Sequence, residues 1–222
     1  MHQSGFANRD IKLENVIVDH NFDIKMADFG FAKVLEGVDK SGVLNTRLGT
    51  PGYMAPEILD RRGYSGDKTD IFALGVILFS MVTLTTPFEA IPCLSEGQLM
   101  IAIDRLYMRF CTEKEKFWSA YSELSLTTEF KALLDALLNA DPNLRPSISE
   151  IINHPWFQND CGTNDEVREE LNIRKHLKLG VSIPTLDNRS QAKRSVPRGL
   201  RREDEEGKVI EKTYVLGPLT QN

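Results

Sequence analysis

The sequence predicts a mainly α-helical domain that carries one small β-hairpin. Three observations lead to this prediction. Residues 71–84 are almost wholly apolar, two short β-branched runs occupy residues 15–19 and 23–28, and apolar side chains recur at three- and four-residue steps between residues 130 and 138. A chain of 222 residues can hold one ordinary domain plus a tail.

Composition narrows the function classes. The chain is 41% hydrophobic and 27% charged, as is typical of soluble globular proteins. Its net charge of −5 argues against a general nucleic-acid surface. Three cysteines without CxxC spacing predict neither a disulfide framework nor a zinc site, namely Cys93, Cys111 and Cys161. Without a secretory signal pattern, we expect a cytoplasmic protein with no membrane partner.

The first elements follow from β-branched residues and loop chemistry. The runs at 15–19 and 23–28 flank the turn-like residues 20–22, which favours an antiparallel hairpin. Residues 30–52 are rich in Gly, Lys, Asp and Thr without a clear period, so we expect a long surface loop. Loops of that length in compact domains are usually functional or disordered.

The later elements are predicted to be helices. The apolar run 71–84 is shorter than the ~20 residues that a bilayer requires. We therefore expect a buried helix capped by Thr69 and Asp70. Thr128 is expected to cap the helix that carries the apolar stripe, and "SISE" at 147–150 is a capping box. "HPWF" at 154–157 is expected to close the domain.

The composition changes after residue 157. "TNDE" at 163–166 predicts the start of one polar helix spanning 164–178. A basic stretch and then acidic residues 203–206 follow, and such charge blocks are normally solvated and disordered. The basic residues are Arg189, Lys193, Arg194, Arg198, Arg201 and Arg202. A docking or regulatory role for this tail is the alternative reading.

Five motifs occur in a fixed order along the chain. They are "NRDIKLEN" at 8–15, "DFG" at 28–30, "GTPGYMAPE" at 49–57, "DIFALGVILF" at 70–79 and "DPNLRP" at 141–146. Each alone is weak, because short polar patterns arise by chance. In this order they resemble the catalytic loop, DFG and APE segments of a eukaryotic Ser/Thr protein kinase. The resemblance runs from residue 1 to 157 and covers the C-terminal lobe of that family.

The resemblance implies a protein-kinase-like α+β fold, of which this chain supplies the mainly α C-lobe with its hairpin. Residues 1–157 would be the partial kinase domain and residues 158–222 the charged tail. By the family pattern, Asp10 would accept the proton of the substrate hydroxyl, and Lys12 would offset charge on the transferring phosphoryl group. Asn15 completes the catalytic set.

The same resemblance implies ATP and Mg²⁺ as cofactors. Asn15 and Asp28 would hold the metal, because hard oxygen ligands suit magnesium. The ATP-binding set would be Lys12, Glu14, Asn15 and Asp28.

Lys12 with "GTPGYMAPE" resembles Ser/Thr rather than tyrosine kinases, so the expected partner is a protein substrate with Ser or Thr. Thr50 matches a substrate-positioning threonine that hydrogen-bonds the catalytic Asp and Lys. Glu14 matches a position that reads a basic residue near the substrate hydroxyl, so we expect a peptide library to show preference for upstream Arg or Lys. The sequence predicts no oligomeric state.

Regulatory and structural positions also match the family. Arg9, Lys33 and Thr46 stand where an arginine and a second basic residue grip a phosphothreonine of the activation loop. Thr46 as an ordinary polar loop residue is the alternative. Three further residues are expected to be structural: Glu57 and Arg145 as an ion pair, and Asp70 as the support of the catalytic-loop backbone.

Two departures from the family pattern stand out. Asn8 occupies the place of a His that packs on the DFG Phe, so stacking on Phe29 is expected to be weaker. The Gly-rich phosphate loop, the β3 lysine and its partner Glu, which belong to the N-terminal lobe, have no counterpart in the chain. Apolar surface is accordingly expected to be exposed near the hairpin.

Three hypotheses follow for function. We favour a Ser/Thr kinase whose sequence is truncated, with Met1 an internal methionine and the 222 residues weakly active or inactive alone. The second is a non-catalytic kinase-like module that binds proteins, and the third is a non-functional gene remnant.

Overall fold

The computed structural model describes residues 1–35, 42–59, 63–88, 105–158 and 162–178. The described strands are β1 Phe6–Ala7, β2 Val16–Val18, β3 Ile24–Met26 and β4 Lys33–Val34. The described α-helices are α1 Pro56–Leu59, α2 Gly66–Thr83, α3 Arg105–Thr112, α4 Lys114–Ser119, α5 Thr128–Leu137, α6 Ile148–Ile152, α7 Pro155–Gln158 and α8 Asn164–Lys178. Short 3-10 helices lie at His2–Ser4, Leu13–Asn15, Ser122–Leu124 and Pro142–Leu144. The predicted class, mainly helical with a small hairpin, is confirmed.

Helix α2 runs through the centre of the fold. It begins at Gly66, so the prediction that Thr69 and Asp70 cap it was wrong, and both residues lie buried inside the helix. The first turn of α2, "GDKTD" at residues 66–70, is polar. Because a helical period can be recognised only from apolar residues, the sequence did not indicate that the helix begins at Gly66. A Cβ on Gly66 would lie 2.5 Å from the Ala7 side chain, and one on Gly75 would lie 2.9 Å from that of Leu137. Glycine therefore lets α2 approach both β1 and α5 closely.

An aromatic core surrounds the second half of α2. Phe79 packs edge-on against Tyr121 with ring centroids 5.1 Å apart, and Phe110 packs likewise against Phe117. Each buried aromatic ring of this kind contributes roughly 1.5–3 kcal/mol through removal of apolar surface from water. The core also includes Phe72, Phe88, Tyr107, Trp118 and Phe130.

Helix α5 presents the predicted apolar stripe to α2, with Phe130, Leu133, Leu134 and Leu137 buried. Its cap is Thr127, whose Oγ1 accepts the N–H of Phe130, so the assignment of Thr128 as the cap was wrong. Two adjacent threonines offer the same side-chain chemistry, and only the backbone conformation at residue 127 decides between them.

Two further helix starts carry reciprocal capping bonds. Ser147 and Glu150 form the predicted capping box at α6. At α8, the Thr163 N–H donates to the Glu166 carboxylate, and Thr163 Oγ1 accepts the N–H of Glu166. The basic residues of the tail and the acidic residues 203–206 lie outside the described residues, as do Cys93 and Cys161.

Strands β2 and β3 form the predicted antiparallel hairpin, with Val16 opposite Met26 and Val18 opposite Ile24. The segment 30–52 is not wholly an irregular loop, in contrast to the prediction. Within it β4 pairs antiparallel with β1, and Leu44 is buried and bridges Tyr64. A two-residue strand is too short to show a period-2 pattern, which explains the error.

The hairpin exposes the expected apolar surface: Ile17, Val18 and Ile24 are 51%, 52% and 70% exposed. Helix α8 contacts its turn, where Arg168 forms an ion pair with Asp23 at 2.8 Å and donates to the carbonyl of Asn21. In the part of the chain that the structure describes, no helix is long and apolar enough to cross a membrane.

A buried ion pair joins the segment around α1 to the end of the domain. The guanidinium of Arg145, 1% exposed as a residue, donates to both carboxylate oxygens of Glu57 at 2.5 and 2.8 Å. It also donates to the carbonyls of Lys68 and Asn139, and lies 4.9 Å from the centre of the Phe72 ring. Almost every donor of this arginine is therefore satisfied.

Replacing Glu57 with Leu should lower the free energy of unfolding by about 3–5 kcal/mol, because a buried guanidinium loses its counter-charge. Urea denaturation checks this. The matched control is Glu113→Leu, which breaks the exposed Glu113–Lys116 pair and should change stability little. Equal effects of the two substitutions would contradict a structural role for the Glu57–Arg145 pair.

Candidate active site

The loop before β2 is held to α2 by the carboxylate of Asp70, which is 1% exposed. Its Oδ2 accepts the backbone N–H of Asn8 at 2.7 Å, and its Oδ1 accepts that of Arg9 at 2.8 Å. The imidazole of His2 contacts Oδ2 at 2.8 Å. Arg9 has a φ of +68°, a left-handed conformation that costs energy in a non-glycine residue and that these bonds hold in place.

Asp10, Lys12 and Thr50 form a triangle in which each pair of side chains is joined by a hydrogen bond. Thr50 Oγ1 donates to Asp10 Oδ1 at 2.6 Å and accepts from Lys12 Nζ at 2.9 Å, while Lys12 Nζ donates to Asp10 Oδ2 at 2.7 Å. The Asn15 amide donates to the Asp10 carbonyl at 3.0 Å and approaches Oδ2 at 3.4 Å. Asp10 is only 5% exposed, so its carboxylate has a fixed orientation.

The triangle also sets the charge state of the site. Burial by itself would raise the pKa of Asp10, but the hydrogen bonds from Lys12 and Thr50 and the positive charge of Lys12 hold it below its ordinary value. The hydrogen bond to Asp10 in turn raises the pKa of Lys12. At neutral pH the site therefore holds an ionised carboxylate, ready to accept a hydrogen bond, beside an ammonium group.

The hairpin brings Asn15 and Asp28 to one end. The Ala27 N–H donates to the Asn15 carbonyl at 2.8 Å, which places Asp28 one residue beyond the last bond of the ladder. Asp28 has a φ of +59°, and its Oδ1 accepts the N–H of Gly30 at 2.9 Å. Among the described residues no hydrogen bond reaches Asn15 Oδ1 or Asp28 Oδ2.

These two oxygens fit the donor set for magnesium. Mg²⁺ prefers oxygen ligands and commonly takes one or two protein carboxylates together with substrate phosphates. Asn15 would contribute an amide oxygen and Asp28 a carboxylate oxygen, both at the same end of the hairpin. No group of three or more His, Cys, Asp or Glu residues that could hold a metal ion occurs in the described ranges.

Two of the three predicted regulatory residues, Arg9 and Thr46, contact Tyr64. Arg9 Nε donates to the Phe31 carbonyl at 2.7 Å, and Arg9 Nη1 approaches the Tyr64 hydroxyl at 3.4 Å. That hydroxyl donates to the carbonyl of Thr46 at 2.7 Å, and the Thr46 residue itself is exposed. Lys33 lies on β4 and is half-buried. Among the described residues no hydrogen bond or ion pair joins Lys33 to Thr46, so their shared role stays a prediction.

The two remaining predicted site residues are Glu14 and Thr50. Glu14 is exposed and accepts a hydrogen bond from the Tyr53 hydroxyl at 3.4 Å. Burial raises the pKa of Tyr53, and the Glu14 carboxylate adds to that rise. The part that Glu14 was predicted to play in ATP binding stays a prediction. Thr50 is part of the triangle around Asp10.

Sequence reasoning missed two residues of the site, His2 and Tyr64. His2 contacts the carboxylate of Asp70, and the Tyr64 hydroxyl contacts both the Arg9 guanidinium and the backbone carbonyl of Thr46. Neither lies in a motif, and their partners are distant in sequence, so no local signal indicates them.

Comparison with known proteins identifies the family. The family model of the protein kinase domain matches residues 1–157 of this chain. The chain belongs to the protein kinase family. The protein kinase family inferred from the order of the motifs is thereby confirmed, whereas the restriction of the chain to the C-terminal lobe stays a prediction.

Several similar curated proteins are CBL-interacting protein kinases of plants. CBL-interacting protein kinase 5 of Oryza sativa subsp. japonica is 35% identical over 194 residues, which are 86% of this chain and 39% of that protein. CBL-interacting serine/threonine-protein kinase 14 of Arabidopsis thaliana is 35% identical over 158 residues, which are 71% of this chain and 32% of that protein. The chain thus spans about a third of the length of these relatives.

Replacing Lys12 with Met should raise the pKa of Asp10, because burial then acts with only the weaker hydrogen bonds opposing it. A carboxyl ¹³C titration by NMR measures this. The matched control is Lys25→Met, which should raise the pKa of Asp19 from about 2 and leave that of Asp10 unchanged. An unchanged Asp10 titration in Lys12→Met would contradict the coupling.

The Asp10–Lys12 pair also makes the stability of the fold depend on pH. The folded-state pKa of Asp10 is depressed, so its stabilisation is present above the unfolded-state pKa and is lost as the pH falls through the folded-state value. The difference in unfolding free energy between wild type and Lys12→Met should therefore shrink in acid.

Proposed function

We propose that the protein transfers the γ-phosphoryl group of ATP to Ser or Thr hydroxyls of protein substrates. The observation that carries this proposal is the Asp10–Lys12–Thr50 triangle, in which a buried, ionised carboxylate is oriented by two hydrogen-bond donors. Membership of the protein kinase family and the serine/threonine kinase names of the relatives support it. The relatives are much longer than this chain. The proposed activity is therefore assigned to the whole protein as its cells make it.

Each residue of the triangle has a separate task in this proposal. Asp10 accepts a hydrogen bond from the substrate hydroxyl and aims its oxygen, which phosphoryl transfer requires more than covalent catalysis. Thr50 and Lys12 hold that carboxylate in one orientation, and the ammonium of Lys12 offsets negative charge on the transferring group. Such positioning and proton acceptance together contribute about 10²–10⁴-fold in rate.

Asn15 and Asp28 are the residues that would hold magnesium. When bound, the ion neutralises charge on the phosphates of ATP. Asn15 Oδ1 and Asp28 Oδ2, which accept no hydrogen bond from the described residues, would supply the oxygens, and the bond from Asn15 Nδ2 to the Asp10 carbonyl connects this end of the hairpin to the triangle.

Substrate choice is proposed to involve Glu14. Its carboxylate is exposed next to the Tyr53 hydroxyl, where an Arg or Lys side chain of a bound peptide could pair with it. A peptide array that shows no preference for Arg or Lys upstream of the acceptor would contradict this assignment.

Asp10→Asn in the protein purified from its own cells should lower the phosphorylation of Ser/Thr peptides by about 10²–10⁴-fold with Mg²⁺ and ATP. Asn keeps the shape of the side chain but removes the negative charge. The control Asp19→Asn alters a carboxylate of the hairpin turn and should leave the rate near wild type.

Equal rates in both variants would contradict the role of Asp10. A wild-type protein that binds Mg²⁺ and ATP in a thermal shift assay but transfers no phosphate would favour the non-catalytic binding module instead.

Loop phosphorylation at Thr46 is the proposed regulation. Thr46 is exposed, and its backbone lies one hydrogen bond from Tyr64, which also contacts Arg9. We expect mass spectrometry of the cellular protein to find phosphate on Thr46, and Thr46→Ala to lower activity, since the phosphate would pair with the guanidinium of Arg9. Thr85→Ala is the matched control on a distant segment. A Thr46 peptide found only unmodified under all conditions would contradict the proposal.

A further inference from the structure

Helix α8 lies outside the residues that match the protein kinase family model, and yet it contacts the hairpin of the site. Arg168 donates to the Asn21 carbonyl at 3.0 Å and to the Asp23 carboxylate at 2.8 Å. Further along the helix, the ammonium of Lys175 lies 6.0 Å from the centre of the Phe22 ring. Arg168 and Lys175 are two helical turns apart, so one face of α8 contacts the turn between β2 and β3.

The same hairpin forms one side of the proposed active site. Asn15 immediately precedes β2 and Asp28 follows shortly after β3, so both proposed magnesium ligands lie at the end of the hairpin opposite its turn. Helix α8 is thus attached to an element of the site itself. The point of attachment lies one short hairpin away from the reacting groups.

The length of the chain allows the tail to return to the site. Helix α8 advances about 15 Å from Arg168 to Lys178. The chain from Asn21 back to Asn15 spans at most about 22 Å, and that from Lys178 to Ser195 at most about 60 Å. Ser195 lies outside the described residues, but its connection to α8 is longer than the other two lengths together. The tail is therefore long enough to bring Ser195 to the site.

The tail around Ser195 carries the charge that complements the site. Residues 189–202 include the six basic residues of the tail and no acidic one, and Lys193 and Arg194 directly precede Ser195. Glu14 is exposed, and among the described residues no Lys or Arg forms an ion pair with it. The preference for upstream basic residues that is proposed for Glu14 therefore fits Ser195.

The other serine of this stretch fits less well. Ser190 has a single basic residue among the five positions before it, Arg189, and the acidic Asp187 lies in the same window. Like charge near Glu14 is unfavourable, so Asp187 weakens the approach of Ser190 to the site. The sequence thus distinguishes two serines that share the same tail.

Tethering gives the tail an advantage over separate substrates. A segment joined covalently to its binding site has an effective concentration in the millimolar range, provided that the connecting chain spans the distance. A separate protein must reach a comparable concentration to compete with it. Ser195 is accordingly the acceptor that each chain meets first.

We propose that the protein phosphorylates Ser195 of its own tail within one molecule, and that α8, docked on the hairpin turn, directs the tail to the site. The inference rests on the proposed phosphoryl transfer. Ser195 Oγ attacks the γ-phosphorus of ATP, and the bond from that phosphorus to the oxygen bridging the β-phosphate breaks, so ADP leaves. The hydroxyl proton passes to the carboxylate of Asp10.

The product is released by its own charge. Phosphate adds about two negative charges beside Lys193 and Arg194, which offsets their attraction to the carboxylate of Glu14. The phosphorylated tail therefore leaves the site open to other substrates.

The test uses the protein purified from its own cells with Mg²⁺ and ATP, over about a hundredfold range of protein concentration. Mass spectrometry follows phosphate on Ser195 and Ser190, and the phosphorylation of a free Ser peptide is measured in parallel. In a second arm, Asp10→Asn protein is the acceptor for wild-type protein. This variant retains the tail, so any phosphate on it comes from another molecule.

We expect the rate of Ser195 phosphorylation per molecule to be independent of protein concentration, as for any reaction within one molecule. The Asp10→Asn acceptor should gain phosphate at least about tenfold more slowly at the lowest concentration, because it lacks the effective concentration of the tether. Ser190 should stay unmodified while Ser195 is phosphorylated.

Arg168→Ala should slow Ser195 phosphorylation about two- to fivefold, since an exposed ion pair shifts an equilibrium only to that extent. Phosphorylation of the free peptide should be unchanged. The matched control is Arg174→Ala, which removes the exposed Arg174–Glu170 pair of the same helix and should change neither rate. Arg168→Glu combined with Asp23→Arg should restore the rate that Arg168→Glu alone lowers.

A Ser195 rate that rises in proportion to protein concentration would overturn transfer within one molecule. Phosphate on Ser190 in place of Ser195 would overturn the assignment of the acceptor. Equal effects of Arg168→Ala and Arg174→Ala would overturn the role of α8. A phosphorylated free peptide with an unmodified tail overturns this inference alone, whereas the absence of phosphate on both peptide and tail overturns the proposed phosphoryl transfer as well.

Discussion

The buried carboxylate of Asp70 is the constraint on which the rest of the site depends. An ionised group at that depth is destabilising unless donors surround it, and here the donors are the backbone N–H groups of Asn8 and Arg9 together with the His2 imidazole. Because Asp70 lies within helix α2, most of which is buried, these bonds fix an irregular loop to a regular helix. The positive φ of Arg9 is the conformational cost of that attachment.

The triangle around Asp10 forms where two separately anchored segments meet. The loop that carries Asp10 and Lys12 is attached to α2 through Asp70. The segment that carries Thr50 leads into α1, where Glu57 is held by Arg145, and Arg145 also bonds the carbonyl of Lys68 in α2. One helix thus carries both anchors, so hydrogen bonds between the two segments need little further ordering of the chain. A site built this way keeps its geometry as long as α2 stays packed.

The features that the sequence predicted well are those with a local physical cause. The hairpin and the apolar stripe of α5 follow from periodicity, and the capping box at Ser147 follows from side chains that bond neighbouring backbone groups. The errors arise where local signals are ambiguous or absent. Thr127 and Thr128 are chemically equivalent as caps, the polar first turn of α2 has no apolar period, and β4 is too short for one.

The sequence by itself determined the family and indicated the candidate residues Asp10, Lys12, Asn15, Asp28 and Thr50, because five motifs in a fixed order specify residue types independently of their contacts. It also determined that Asn8 departs from the family pattern. Only the tertiary structure decided what Asn8 contacts, which donors depress the pKa of Asp10, and how His2 and Tyr64 enter the site. The physical reason is that these interactions join residues distant in the chain, and their geometry exists only once α2 has placed the segments side by side.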